Sequence, residues 1–191
     1  MNDLLIKNGL VFLKGKRVKA NLAVLGEKIS YIGEKEVEAK EVLDVEGLRV
    51  LPGLVDPHVH FELNCGRTTS CDDFYTGSVC AAYGGVTTIV DFLDPTRNAE
   101  ELEKSYSERI SLAKKSLVDY HMHACIREPN GDLEEYVKTV VKLGMRTIKL
   151  FTTYSDTHRR TYEKDIEVLL RLSKKSIIVV TPPYTAHTLP V

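Results

Sequence analysis

Cysteine is sparse and unpatterned in this 191-residue chain. Its four thiols, Cys65, Cys71, Cys80 and Cys125, show no Cys-x-x-Cys spacing. That spacing argues against a zinc or dithiol motif and predicts free thiols in a cytoplasmic setting. Neither sign of charge is in excess. Twenty-six Lys and Arg stand against 27 Asp and Glu, for a net charge of −1. The balance gives no nucleic-acid-binding signal and no acidic tail. No run approaches the ~18 apolar residues of a membrane span. The opening residues, MNDLLIKNG, lack a basic segment followed by a cleavable apolar stretch, so no secretory signal is predicted. Internal repeats and low-complexity segments are also missing. What remains is an ordinary globular composition, 43% hydrophobic and 28% charged. The length suits one core, or a small domain plus part of a larger one.

Residues 4 to 50 read as short strands joined by tight turns. The turn signals are Asn8-Gly9, Lys14-Gly15-Lys16 and Gly26-Glu27. This spacing predicts a small antiparallel sheet, too small to stand alone. After Pro52 the pattern changes to alternating strands and helices. An apolar run, Leu51 to Val55, leads into Asp56. A helical stretch from Asp72 to Tyr83 stops at Gly84-Gly85, a C-cap signal. The β-branched run VTTIVDF (86–92) follows. Asn98, with Glu101 three residues on, opens a helix over 99–116. Three more strands are predicted, at 117–126, 146–151 and 176–180, with helices from Asp132 to near Gly144 and over 162–174. Strands alternating with helices of 10–15 residues indicate a parallel sheet with helical crossovers. The organisation is therefore 1–51 as small-sheet strands, 52–180 as successive βα units, and 181–191 as a proline-rich irregular tail.

Polar residues at the C-terminal ends of such strands are where the chemistry of α/β sheets and barrels sits. His58 and His60 are two residues apart, so an extended backbone points both imidazoles to one side. Two nitrogen ligands reach one metal in that way. Two polar residues at a strand end are the plainer reading. Asp56 is placed to orient a ring nitrogen from behind, and this favours the metal. Asp91 ends the second strand and suits a supporting carboxylate. His121 and His123 repeat the His-x-His spacing in mid-strand, and one of them, His123, is a candidate to line the site. Lys149 alternates with Ile148 and Leu150 and shares a side with Thr147 and Phe151. It either snorkels or pairs with a carboxylate, or is a buried amine with a lowered pKa.

The run PGLVDPHVH (52–60) resembles the opening signature of the cyclic amidohydrolases. CDDFYTG (71–77), AAYGGVTTIVDF (81–92) and IKLFTTY (148–154) are similar to blocks of the dihydropyrimidinase and hydantoinase branch. Dihydroorotases carry an arginine two residues after the second histidine, where this chain has Glu62. The resemblance implies a metal-dependent hydrolase built as a (β/α)8 TIM-type barrel, preceded by strands of a small β-sandwich domain. It implies two zinc ions, with His58 and His60 as ligands of one and a carboxylated Lys149 bridging both. It implies that a hydroxide held by the metals opens a small cyclic ureide, a dihydropyrimidine or hydantoin, to an N-carbamoyl amino acid. Tyr154 would hold the substrate carbonyl or its developing oxyanion, and Leu63 and Cys65 would line the substrate side pocket. It implies a homo-oligomer, a tetramer in the family, for the full-length protein.

The resemblance also implies ligands that this chain does not supply. A histidine followed by Ala-Glu is expected after the fifth strand, where Thr181-Pro182-Pro183 stands. A further histidine and an aspartate that is also general base would lie on later strands. His187, in the proline-rich tail, is a poor substitute. A whole barrel takes roughly 200–250 residues, so only about half fits after residue 52. The expectation is an N-terminal portion that is inactive alone. Two other readings are a non-catalytic, dihydropyrimidinase-like assembly protein and another cyclic amidohydrolase such as an allantoinase.

Overall fold

The computed structural model describes residues 1–64, 66, 68–173 and 178–180. The chain divides into two compact units, Met1–Gly53 and Leu54–Val191. In the first unit, β1 (Asn2–Leu13), β2 (Lys16–Leu25), β3 (Lys28–Gly33), β4 (Ala39–Asp44) and β5 (Arg49–Val50) form one sheet. Its order is β3-β2-β1-β4, with β5 also on β1. The β1–β2 turn places Lys14 and Gly15 at φ 47° and 79°. Paired left-handed residues match the twist of a tight hairpin, and the glycine adopts that conformation without a Cβ clash.

Two expectations for this unit are corrected. The sheet is mixed, because β4 and β5 run parallel to β1. With β2 and β3 occupying one side of β1, the chain crosses back to the other side, where the crossing makes it parallel. Asn8-Gly9 is a bulge inside β1, not a turn. Asn8 has φ 62° and the register with β2 shifts between Ile6 and Gly9. Its N–H donates to Asn21 Oδ1 at 2.9 Å, and its Nδ2 donates to both Asp44 oxygens at 3.1 Å. The first bond satisfies the backbone N–H at the bulge and the other two tie the Asn8 side chain to the end of β4, so the strand continues through it.

The second unit runs β6 (Leu54–Val59), α1 (Phe74–Tyr83), β7 (Val86–Phe92), α2 (Ala99–Ala113), β8 (Asp119–Cys125), α3 (Leu133–Lys142), β9 (Thr147–Lys149), α4 (Glu163–Ser173) and β10 (Ile178–Val180). The strands form one sheet in chain order, β6-β7-β8-β9-β10, every pair parallel. Helical crossovers between sequential parallel strands give the architecture of a half-barrel. Side-chain caps fix where the helices begin. Asp73 Oδ1 accepts the Thr76 N–H at 2.8 Å, and Thr76 Oγ1 accepts the Asp73 N–H at 3.1 Å, a closed capping box on α1. Asn98 Oδ1 accepts the Glu101 N–H at 3.0 Å on α2. Asp132 accepts the Glu134 N–H at 2.8 Å on α3. Gly144, at φ 82°, lets the chain leave α3.

The core lies between this sheet and its helices. Ile89, Ala124 and Ile148, one from each of three neighbouring strands, meet Leu102, Tyr136, Val140 and Leu169 from the helices, all fully buried. Each large side chain buried this way stabilises by ~1.5–3 kcal/mol. Tyr136 carries a hydroxyl into this core. It donates to the Cys125 carbonyl at 3.2 Å and meets Thr96 Oγ1 at 2.9 Å. Residues 174–177 and the tail 181–191 lie outside the described residues, and with them Thr181 to Pro183 and His187. No helix among the described residues is long and apolar enough to cross a membrane.

Candidate metal centre

Alternation along each strand sends every second side chain away from the helices. At the C-terminal edge of β6 to β9 those side chains are His58, His60, Phe92, His123 and Lys149. The register places Phe92 opposite His123, and Cys125 opposite Lys149. The side chains converge on the Phe92 ring. The centroids of His58 and His60 lie 4.6 and 4.7 Å from it, and that of His123 lies 4.5 Å away. Lys149 Nζ sits over the same ring at 4.1 Å, and over Phe151 at 5.2 Å. The two imidazoles of the His-x-His pair meet edge to face, with centroids 5.2 Å apart. The face of an aromatic ring attracts a cation, so Phe92 holds the ammonium form of Lys149 in place without a hydrogen bond.

His60 is the clearest candidate ligand. Its Nδ1 is buried and has no hydrogen-bond partner. Burial, then the positive charge of Lys149, lowers its pKa to about 4. The ring is therefore neutral at physiological pH, the form that binds metal. Burial also lowers the Lys149 amine, and nearby Arg159 pushes the same way. Among the described residues Lys149 has no carboxylate partner, so the ion-pair reading of this lysine does not hold.

His123 lines the site with both ring nitrogens engaged. Nε2 donates to the Pro57 carbonyl at 2.8 Å, which fixes the tautomer, and Nδ1 accepts from the Thr147 hydroxyl. It braces β6 against β8 and β9. Its partner in the rival pair, His121, lies two residues earlier on β8, opposite Val90, and is exposed. Asp56 does not orient a ring nitrogen. Its carboxylate accepts the His58 backbone N–H at 3.1 Å, a local turn bond two residues long. Asp91 points the other way, into the helical layer. It is fully buried and bonded to Arg109 Nη2 at 2.8 Å and to the Phe61 N–H at 3.3 Å. Burial raises its pKa, while Arg109 and the backbone amides pull it back down.

Tyr154 is exposed on the loop after β9, with its backbone at φ 69° and its ring 6.0 Å from Phe151. Leu63 is half-buried in the loop after β6. Its N–H donates to Ser70 Oγ at 2.9 Å, and its carbonyl accepts the Ser70 N–H at 3.0 Å. Cys65 lies outside the described residues. Sequence reasoning missed Phe92, although period two from Val90 places it on the site side. It also missed Arg109.

Among the described residues, no three His, Cys, Asp or Glu side chains close around one point. The donors present nonetheless fit part of a divalent-cation site. They comprise two adjacent imidazoles, one with an orphaned nitrogen, and an unpaired amine in the same cluster. Imidazole suits zinc and its neighbours.

No family model matches the chain. Individual relatives do. It is 38% identical over 155 residues to a D-hydantoinase of Geobacillus stearothermophilus, covering 80% of this chain and 33% of that one. It is 30% identical over 188 residues to a D-phenylhydantoinase of Escherichia coli O1:K1, covering 94% and 39%. Superposed on the crystal structure of a dihydropyrimidinase from Brevibacillus agri NCHU1002, it gives a TM-score of 0.85 at 31% identity, over 95% of this chain and 40% of the other. The fold is thus a partial TIM-type barrel with an N-terminal β domain. The chain belongs to the cyclic amidohydrolase superfamily. It spans between a third and two-fifths of the length of the curated relatives it matches.

Proposed function

We propose that this chain carries the first part of the metal centre of a hydantoinase- or dihydropyrimidinase-type hydrolase, which opens a cyclic ureide to an N-carbamoyl amino acid. The convergence of His58, His60 and Lys149 on the Phe92 ring supports it. His58 and His60 would hold one divalent cation, His60 through the neutral ring that its burial favours. Lys149 would bridge to a second after its amine takes up carbon dioxide as a carbamate, losing a proton. A lowered amine pKa raises the uncharged fraction that this addition requires. The ions, when bound, supply Lewis acidity and lower the pKa of water. Tyr154, on the loop at the same sheet edge, would donate to the substrate carbonyl as negative charge develops there. Leu63 and Cys65 would face the ring substituent. The remaining ligands are not among the described residues. Unpaired Cys71, Cys80 and Cys125 support a reducing, cytoplasmic setting.

The test is zinc uptake by the chain supplied with ¹³C-bicarbonate, read by competition with a chelator and by the carbamate carbon signal. Zinc binding with a carbamate signal, both lost or weakened in Lys149→Ala, is the expected result. A carbamate signal and zinc affinity that survive the substitution overturn the assignment of Lys149. Ring opening of hydantoin, dihydrouracil or allantoin by the chain alone would overturn the expectation that it needs the remaining ligands.

A further inference from the structure

Behind the histidine pair, on the helical side of the sheet, lies a buried ion pair whose contacts exceed what packing alone requires. Arg109 comes from α2 and Asp91 from β7, and both are almost wholly buried. Both reach past each other to the backbone just after His60. Asp91 Oδ2 accepts the Phe61 N–H at 3.3 Å. Arg109 Nη2 donates to the Phe61 carbonyl as well as to Asp91, and Nη1 reaches the Glu62 carbonyl at 3.5 Å. This turn needs holding, because Glu62 sits in the left-handed region at φ 45°. The Phe61 ring is pinned too. It meets Phe74 edge to face at 5.6 Å and lies over Gly77, where an added Cβ would come within 2.2 Å. The Arg109 guanidinium caps the Phe74 ring at 5.0 Å.

We infer that Arg109, with Asp91, is a positioning residue for the metal centre. Its planar fork grips the 61–62 backbone and so fixes where the His60 imidazole stands. A lysine has the charge but not the fork. The inference rests on the metal reading above for its purpose, though not for its geometry.

The experiment compares Arg109→Lys, Arg109→Met and Leu102→Ala in the whole chain. Leu102 is buried in the same helix, away from the turn, and controls for general loosening. One readout is the pair of His60 ring-nitrogen signals in long-range ¹H–¹⁵N spectra of metal-free protein. The other is zinc affinity, by competition with a chromophoric chelator. Both Arg109 variants are expected to shift or split the His60 signals and to weaken zinc binding about tenfold or more, the usual effect of losing a ligand's support. Leu102→Ala should change neither. Folded Arg109 variants with unaltered His60 signals overturn the inference, as does a Leu102→Ala effect of equal size. Should Arg109→Met not fold, Arg109→Lys decides. Should the wild type bind no zinc, the ring signals still decide the positioning role, and the metal reading is what fails.

Discussion

Asp91 and Phe92 are neighbours in sequence and lie on opposite faces of one sheet, and the two faces treat polar groups differently. On the helical face the Asp91 carboxylate has Arg109 and the N–H groups of Phe61 and Phe92 as partners. On the other face His123 is bonded through both ring nitrogens, but two groups around Phe92 are left short. His60 Nδ1 is buried without a partner, and Lys149 has an aromatic ring in place of a carboxylate. Buried polar groups are almost always hydrogen-bonded, so an exception calls for a reason. The bonds around Asp91 hold the strands together, although Arg109 Nε is itself buried without a partner. The unpaired His60 and Lys149 groups are those of the proposed metal centre.

If that division holds, the largest loss of stability should come from the helical face. Asp91→Asn leaves the Arg109 charge buried and uncompensated, and should cost the larger unit about 3–5 kcal/mol in denaturant unfolding. Gly77→Ala forces a Cβ against the Phe61 ring and should cost ~1–3 kcal/mol by overpacking. A smaller effect is expected at the α1 cap. The Thr76 amide holds the Asp73 pKa below its ordinary 3.8. A depressed carboxylate stabilises fully above its unfolded pKa and loses that contribution as pH falls through the folded value. Asp73→Ala should therefore lower the melting temperature slightly at neutral pH, with the difference from wild type closing in acid. Lys149→Ala should be the mildest, within about 1 kcal/mol of wild type, because the cation–π contact it loses is offset by the desolvation of the amine it removes. If Lys149→Ala costs as much stability as Asp91→Asn, the contrast between the faces is broken.

Much of this was legible in the sequence. The change from turn-rich strands to alternating strands and helices marks the two units, because β-branched runs and capping residues are local signals. That His58, His60 and Lys149 share one side of the sheet was legible, because strand alternation fixes the side to which each points. Asn8-Gly9 was misleading. A turn dipeptide and a bulge make the same local demand for positive φ, and only the Asn21 and Asp44 side chains decide between them. Phe92 gains its role from cross-strand register, which no single strand reveals. Arg109 reads as surface charge in the polar run EKSYSERI. Its burial follows from how α2 packs over the turn after β6.

The most direct measurement is a zinc titration of the wild-type chain beside His58→Ala/His60→Ala, with circular dichroism to verify that both are folded. The account expects saturable zinc binding by the wild type and its loss in the double variant, with the spectrum unchanged. Equal binding by the two proteins, or none by a folded wild type, would contradict it.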